Sequence, residues 1–588
     1  STNEYFVLEY RVKEGLYEIN TPGADNGIVI YRVNDTLSGN ANGPPDELYV
    51  YRTNGTPISN GVFSGAVFNE EIERDKFNDN TNPSCFLYDG SVGGVNVSNV
   101  GMPESTITFD VVNMVLLPEY YGISFDSDQD GVINPNEEII VDLRISNLSI
   151  FNAENIFATI SSEIESVEIV NNEFSIDVIN SNDSHISSVI MNISDNVIGT
   201  IPFEINIVAD YYENGQNVSY NDSFVFELDV SLKQAGFPYS TLNEIHGSPV
   251  ICDLNNDGIQ EIIFGDHFGN IHSIDSNGIQ SSGFDFFPFD TGGQIWASPL
   301  CADINLDGYD EVIITSKSKN IYAFNYDGLL WQNNLNSQLI GTPAILNMNN
   351  STELEIVVSG YTNNNDNLFI LNHNGEVLDN IYIDEKNKSG FAIGDLNSNG
   401  YDDMVFGTDD NNLYLIYDNG NIAPGFPFYA SDKFKLGATI VNISNDFIIL
   451  APCENNHLYA LNLNGNIVFD YQFMHDITTS VSILENENSF LIFLGLSNGD
   501  IVGLNPHGDL IFSHNISSGV IGSIVFSDFD SDNIPDIVSI NEQGDIYIFN
   551  LLGELFNHFP ISYDFPYSSS PLISDIDNDQ DFEIIAGS

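Results

Sequence analysis

From residue 247 to the C-terminus, an apolar stretch followed by an Asp-rich loop returns at near-regular spacing. That repeat restricts the possible folds more than any other feature of the sequence. The segment Gly247-Ser-Pro-Val-Ile-Cys-Asp253-Leu-Asn-Asn-Asp-Gly-Ile-Gln-Glu261-Ile-Ile-Phe-Gly265 recurs as Ala297-Ser-Pro-Leu-Cys-Ala-Asp303-Ile-Asn-Leu-Asp-Gly-Tyr-Asp-Glu311-Val-Ile-Ile. It returns around Asp395, Asp528 and Asp575, and in degraded form around Asn347, Asn442 and Leu484, so anchors lie 42 to 50 residues apart. Each repeat adds a second apolar strand, a third such as Asn270 to Asp275, and a tight-turn pair such as Asn277-Gly278, Asp327-Gly328 or Asn464-Gly465. Asn-Gly and Asp-Gly suit hairpins because type I′ turns need positive φ at both central residues. Four short strands per repeat predict the blades of a β-propeller. An open β-solenoid fits less well, because its repeats are usually shorter, and separate β modules would need linkers that the sequence lacks.

Seven repeats are complete and an eighth stops after its second strand at Ser588. Phe237-Pro-Tyr239 resembles the outer-strand segments Phe287-Pro-Phe289 and Phe426-Pro-Phe428, and is placed to add an outer strand to the last blade and close the ring. The expectation is a seven- or eight-bladed propeller, eight preferred, in a native chain that continues past Ser588. Upstream, residues 119–232 alternate apolar and polar side chains in short runs (Phe203-Glu-Ile-Asn-Ile-Val208, Phe224-Val-Phe-Glu-Leu-Asp-Val230), which predicts an immunoglobulin-like β-sandwich. Residues 1–118 form a third strand-rich region, and 233–588 the propeller. The whole chain is expected to be mainly all-β.

The 588 residues carry 85 Asp+Glu against 14 Lys+Arg, a formal net charge of -71. Such a field repels phosphate backbones and anionic lipid, which argues against nucleic-acid and membrane-surface partners. No apolar run reaches the roughly 20 residues of a bilayer span, so membrane insertion is not expected. Four cysteines (Cys85, Cys252, Cys301, Cys453) make no disulfide framework. Cys252 and Cys301 sit in equivalent strands but offset by one position, hence on opposite faces, so buried free thiols are the expectation over a bridge.

The Asp-rich loop carries the chemistry. Asp253, Asn255, Asp257 and Glu261 occupy positions one, three, five and nine, with Gly258 at six and Ile259 able to give its carbonyl at seven. Calcium takes six to eight hard oxygens, and alternate side chains on a tight loop, one carbonyl and a closing carboxylate supply them. The set repeats as Asp303, Asn305, Asp307, Tyr309, Glu311; as Asp395, Asn397, Asn399, Tyr401, Asp403; as Asp528, Asp530, Asp532, Ile534, Asp536; and as Asp575, Asp577, Asp579, Asp581, Glu583. The third repeat (Asn347, Asn349, Glu355) is diluted, and the fifth and sixth lack the carboxylates, so no metal is expected in those two. A separate loop, with Asp126, Asp128, Asp130, Val132, Asn134 and Glu137 around Gly131, fits the twelve-residue EF-hand pattern at every ligand position. Without flanking helices it is an isolated calcium loop, and its place between regions suggests that it stiffens a joint. About six Ca2+ sites are expected in all.

Catalytic patterns are absent: no His-Glu-x-x-His, no Gly-x-Ser-x-Gly, no phosphate-binding Gly-Lys-Ser/Thr and no Cys-x-x-Cys. His267 and His272 fall on loop and strand of one blade and read as surface or core histidines. The repeat, Asp-x-Asn-x-Asp-Gly-x-x-Glu after an apolar strand, resembles the FG-GAP/VCBS repeats of integrin α-type propellers. That resemblance implies calcium-stabilised scaffolding and binding of proteins or glycans. Glu4-Tyr-Phe-Val-Leu-Glu-Tyr-Arg11, Pro22-Gly-Ala-Asp-Asn-Gly27-Ile-Val-Ile-Tyr-Arg-Val33 and Gly94-Val-Asn-Val-Ser-Asn-Val100 resemble the C-terminal part of the catalytic domain of immune inhibitor A-like secreted zinc metallopeptidases. That family's zinc motif lies upstream of the matching stretch, so no zinc ligand carries over. These resemblances imply a secreted, extracellular or cell-surface, calcium-binding portion of a metallopeptidase-like protein, inactive alone. Its partner would be a protein or glycan, an upstream catalytic portion, or copies of itself. The alternative is a calcium-dependent adhesin or extracellular structural protein without peptidase activity.

Overall fold

The computed structural model describes residues 4–14, 26–37, 39–40, 46–91, 93–112, 114–127, 131–162, 164, 166–213, 215–348, 353–361, 368–383, 386–443, 446–486, 489–579 and 581–588. The chain is all-β. Among the described residues the only helical turns are the 3-10 turns Phe63–Gly65 and Glu70–Ile72, and no helix is long and apolar enough to cross a membrane. Two compact units divide it, Ser1–Leu232 and Lys233–Ser588.

In the first unit, Glu4–Arg11 pairs antiparallel with Gly27–Asn34, which also pairs with Leu48–Val50 and Val67–Phe68. Two four-stranded sheets follow. One joins Val167–Ile169, Ser184–Ile193, Glu138–Asn147 and Leu116–Phe125; the other joins Glu173–Ile179, Ala153–Ser161, Gly199–Glu213 and Gln216–Val230. Strict alternation builds their shared core. Along Gly199–Glu213, Ile201, Phe203, Ile205 and Ile207 are buried while Pro202, Glu204, Asn206 and Val208 are exposed, because successive strand side chains point to opposite faces. The buried set meets Leu143, Ile145, Ile156 and Met191 of the other strands.

The second unit is a β-propeller. Among the described residues, seven successive sheets each hold four strands in chain order, and a two-stranded sheet, Leu572–Ser574 with Glu583–Ile585, ends the series. The first sheet contains Val250–Cys252, Glu261–Gly265, Asn270–Ile274 and Phe289–Asp290. Its second strand is buried at every position, since neighbouring sheets cover both faces. Ile263 packs with Val312 and Phe324 of the second sheet, and the adjacent Ile262 packs with Ile576 and Ile585 of the final one. The last sheet thus shares a core with the first. Ile245 N also donates to Ser588 O at 3.0 Å and Ser570 N to Ser248 Oγ at 2.9 Å.

Two expectations are corrected. Phe237-Pro-Tyr239 forms no strand. An outer strand needs a third strand beside it, and the final sheet has none among the described residues. The segment packs without strand pairing on the cluster shared by the first and final sheets, with Tyr239 edge-on to Phe264 and His272 and with Ile576 and Ile585 in the same cluster. The cysteines were expected as free thiols, but Cys252 and Cys301 form a disulfide, with Cα atoms 6.2 Å apart. Cys252 lies opposite Glu261, whereas Cys301 lies opposite Val312, one place before the equivalent Glu311. They do occupy opposite faces of their own sheets, and opposite faces are what adjacent blades present to each other. The one-residue offset therefore permits the bridge.

Cys85 and Cys453 are buried free thiols. Burial holds Cys453 up at about 11, so it is unreactive at neutral pH. A non-reducing digest is expected to yield a Cys252–Cys301 cross-linked peptide. The paired Cys252→Ala/Cys301→Ala change should cost up to about 4 kcal/mol by closure entropy over a separation of 49 residues, read as a lower melting temperature.

Candidate metal centres

The Asp-rich loops connect the first and second strands of their sheets. A left-handed residue at position four folds each one: Asn256 (φ 56°), Leu306 (58°), Ser398 (60°), Ser531 (59°) and Asn578 (66°). Position six is also left-handed, at Gly258 (86°), Gly308 (95°) and Gly400 (91°), with Asn533 (67°) taking the glycine's place in the seventh sheet. Such backbone favours Gly and Asn.

The first Asp closes each turn. Asp253 Oδ1 accepts from Asp257 N at 3.0 Å and its Oδ2 from Gly258 N at 2.8 Å. Asp303 does the same with Asp307 N (3.0 Å) and Gly308 N (2.9 Å), and Asp395 with Asn399 N and Gly400 N, both at 2.9 Å. Asp528 takes Asp532 N (3.0 Å) and Asn533 N (2.8 Å), and Asp575 takes Asp579 N (3.0 Å). Position three accepts the amide of position five in the first, second and seventh sheets, through Asn255 (3.0 Å), Asn305 (2.8 Å) and Asp530 (3.2 Å). Position five in turn accepts the amide at seven, as Asp257 does from Ile259 (2.9 Å), Asn399 from Tyr401 (2.8 Å) and Asp532 from Ile534 (2.6 Å).

The closing carboxylate begins the second strand and reaches back to the residue after the first Asp. Glu261 Oε2 accepts from Leu254 N at 3.1 Å, Glu311 from Ile304 N at 3.1 Å, Asp403 from Leu396 N at 3.0 Å, Asp536 from Phe529 N at 3.0 Å and Glu583 from Ile576 N at 2.7 Å. The first and closing carboxylates of each loop are therefore drawn onto its own backbone amides. In two loops they come closest: Asp528, Asp530 and Asp536, and Asp575, Asp577 and Asp579, each place three carboxylate oxygens within 4.8 Å of one another. Burial, then repulsion from Asp253 and Asp257, pushes Glu261 up to about 7 despite the Leu254 amide. Glu311 and Glu583 rise to about 7 for the same reasons, and Asp403 and Asp536 are also raised, chiefly by burial. Partly buried carboxylates crowded in this way lack an opposite charge, and a hard divalent cation supplies one. The amides fit less directly. Asn255 Nδ2 donates to Asp257 Oδ2 (2.9 Å), Asn305 Nδ2 to Glu311 Oε1 (3.0 Å) and Asn397 Nδ2 to Asp403 Oδ1 (3.1 Å). Each would need its amide turned over to offer oxygen.

In the diluted third loop, Glu355 Oε2 accepts from Met348 N at 2.9 Å and Asn347 Oδ1 is buried without a hydrogen-bond partner; Asn349 lies outside the described residues. The fifth and sixth sheets have no loop of this kind. Pairing runs through Ile443↔Asp446 and Asn486↔Ser489, leaving only 444–445 and 487–488 between strands where the first sheet has 253–260.

The EF-hand-like loop joins Leu116–Phe125 to Glu138–Asn147, two paired strands of one sheet. It is a hairpin connection within the sandwich, which corrects its assignment to a joint between regions. Asp126 and Glu137 are buried; Asp126 Oδ2 accepts from Gly131 N at 2.7 Å, and Glu137 accepts from Ser127 N (2.8 Å) and Asn134 N (2.9 Å). Asn134 Oδ1 is buried and has no hydrogen-bond partner, as an oxygen reserved for a cation would be. Val132 is half-buried beside Gly131 (φ 82°), and Asp128 and Asp130 lie outside the described residues.

One cluster escaped the sequence reading. Glu244, His246 and His267 bring three ligand-type atoms within 4.8 Å, with His246 Nε2 2.9 Å from His267 Nδ1. Aligning the repeats position by position, rather than by loops, would have exposed it: Trp296 and Lys317 stand where His246 and His267 do one repeat earlier. His272 is a core residue, buried with Nε2 3.1 Å from Asp266 Oδ2.

Asp303→Ala should lower the melting temperature measured in calcium, because it removes the carboxylate that closes its loop. Asn442→Ala, at the exposed fifth-sheet anchor, should change stability by no more than about 0.5 kcal/mol. Calcium titrations followed by melting temperature compare the two.

No protein-family model and no curated protein matches the chain. Among solved structures it is similar to BBS1N, determined in complex with ARL6DN, at 16% identity over 54% of this chain and 95% of that one, with a TM-score of 0.37. It is also similar to BamB from Moraxella catarrhalis, at 12% identity over 60% of this chain and 90% of that one, with a TM-score of 0.37.

Proposed function

We propose that this chain is a secreted, calcium-loaded binding scaffold, the non-catalytic C-terminal portion of a metallopeptidase-like protein. One observation carries the calcium reading: five loops at matched positions gather carboxylates, and burial with repulsion from neighbouring carboxylates raises every closing acid. Bound calcium supplies a counter-charge and no chemistry. The loop side chains hold it, and in holding it fix the first strand to the second in those five blades. With the EF-hand-like loop this makes about six sites, on an FG-GAP/VCBS-type propeller of eight blades whose last has two strands, preceded by an immunoglobulin-like sandwich. The Cys252–Cys301 disulfide supports an oxidising, extracellular setting.

Inductively coupled plasma analysis of the chain purified in calcium and then desalted tests the metal reading. About six equivalents are expected, and fewer than two would refute it. The coding sequence ahead of Ser1 tests the family reading. His-Glu-x-x-His within a few hundred residues supports the peptidase, while an extracellular protein without it is the adhesin.

A further inference from the structure

Between residues 233 and 588 there is no Arg and only seven Lys, and six of them come in pairs: Lys317 and Lys319, Lys386 and Lys388, Lys433 and Lys435. Blade topology places all three pairs at one end of the sheets. With antiparallel neighbours in chain order, connections from first to second strand lie at one end, and those from second to third strand and from one sheet to the next lie at the other. The Asp-rich loops belong to the first kind. Lys317 and Lys319 lie between Glu311–Thr315 and Asn320–Asn325, and the other two pairs lie in sheet-to-sheet connections. Matching backbone bonds tie the two kinds of connection together at that end: Lys317 N donates to Gln294 O (2.9 Å), Asp409 N to Lys386 O (3.0 Å) and Glu454 N to Lys433 O (2.9 Å). Nearly all the positive charge of a strongly acidic unit is therefore gathered on one rim, opposite the calcium loops.

Several of these lysines are held in place. Lys317 Nζ lies 3.3 Å from the centroid of the exposed Trp296 ring and 2.8 Å from Gln294 Oε1. Lys386 and Lys388 lie 4.9 and 5.1 Å from the centroid of Tyr361, the third sheet's counterpart of Lys317. Lys388 and Lys435 are partly offset by Asp409 and Glu454. Lys317 and Lys386 have no such carboxylate among the ion pairs of the described residues. Beside them, two buried polar groups lack partners. Asn387, between Lys386 and Lys388, is 3% exposed with its Nδ2 unbonded, and Ser359, two residues before Tyr361, is 3% exposed with its Oγ unbonded. They belong to one neighbourhood: a Cβ on Gly341 would lie 3.1 Å from Ser359 Oγ and 3.3 Å from the carbonyl of Ser389, whose hydroxyl bonds Asn387 Oδ1 at 3.0 Å.

We propose that this rim binds an anionic polysaccharide, one whose sugar units carry sulfate or carboxylate groups. The proposal rests on the scaffold reading above and names its ligand class. Charges spread over successive blades suit an extended chain with spaced anions, and the unbonded amide and hydroxyl suit sugar hydroxyls between them. An anionic polysaccharide meets the same overall repulsion as a nucleic acid, but its charges are spaced more widely along the chain, and the rim has no arginine forks for phosphates.

Isothermal titration of the full chain in calcium with four probes tests this: κ-carrageenan oligosaccharides (sulfate), hyaluronan oligosaccharides (carboxylate), neutral agarose oligosaccharides and poly-Glu. At least one anionic sugar should bind, weakening as salt rises, and the neutral sugar should not. Lys317→Gln/Lys386→Gln should weaken binding about tenfold, Lys317→Arg/Lys386→Arg should retain it, and Asn387→Ala should weaken it without altering the salt dependence. The proposal is overturned if neither anionic sugar binds, if the glutamine pair binds as well as the parent, or if poly-Glu binds as tightly as either sugar, which would make the partner an acidic protein. Melting curves with and without calcium on the same samples separate the two readings. Intact calcium dependence with no sugar binding overturns this inference alone, whereas loss of calcium dependence overturns the scaffold reading.

Discussion

Stripping calcium from the purified chain should lower its melting temperature by about 10 °C or more, the largest single effect expected for this protein. A ligand that binds only the folded state stabilises it by about 2.7 kcal/mol when its concentration is a hundred times its dissociation constant. A domain of 150–250 residues moves roughly 2–4 °C per kcal/mol, and a larger unit moves less, so four or five filled sites reach the expected shift. Calcium returned in excess should restore the transition. Magnesium should restore it poorly, because it demands a tight octahedron and gives up its waters reluctantly, while these loops offer ligands at alternate positions of a broad turn. Differential scanning calorimetry in buffer, chelator and chelator plus excess metal makes the comparison. A transition unmoved by chelator would mean that the loops are ordinary Asx turns, closed well enough by their own amides.

The propeller was legible because its repeat is written twice over, in the spacing of the anchors and in the burial pattern. Glu261–Gly265 and its counterparts Glu311–Thr315 and Asp403–Gly407 are buried throughout, which is why they read as unbroken apolar runs. Gly199–Glu213 alternates because one face meets solvent. What failed to show in sequence was whatever depends on how one sheet faces the next. Cys252 and Cys301 were judged by register within a sheet, where a one-place offset separates them; between sheets the same offset joins them. The rim lysines were invisible for a related reason. Lys317 and Lys433 are more than a hundred residues apart, and only the equivalence of connections at one end of successive sheets gathers them. The EF-hand-like loop was recognised from its residues but misplaced, because no pattern in Asp126 to Glu137 reveals that the strands on either side pair with each other. Within the propeller the lysines gather at the end of the sheets opposite the Asp-rich loops, among carboxylates such as Asp266, Asp409, Asp410, Asp432 and Glu454 that lie at the same end.

Calcium-free protein should lose stability as pH rises from about 4.5 to 7, the reverse of ordinary acid denaturation. Glu261, Glu311 and Glu583 have folded-state values near 7 against 4.5 for the free side chain. Between those values the folded chain binds more protons than the unfolded one, so the slope of unfolding free energy with pH is negative. The stabilising share of these groups is complete below about 4.5 and is gone above about 7. Each contributes up to about 3 kcal/mol across that window, and Asp403, Asp536 and Asp579 act in the same direction. Asp266 acts against them: burial alone would raise it, but hydrogen bonds from Asn270, His272 and Asn243 hold it below the usual range. Asp89, His246 and His514 are also lowered and act with Asp266, but none of the four shifts as far as the three glutamates. Saturating calcium should flatten the slope or invert it, because the metal binds the ionised loops and competes with the protons that relieve them. Urea titrations of calcium-stripped protein at pH 5 and pH 7.5, repeated in excess calcium, measure both slopes. A metal-free protein more stable at pH 7.5 than at pH 5 would show that the closing acids are already charged and satisfied without a cation, and the five loops would then need no metal.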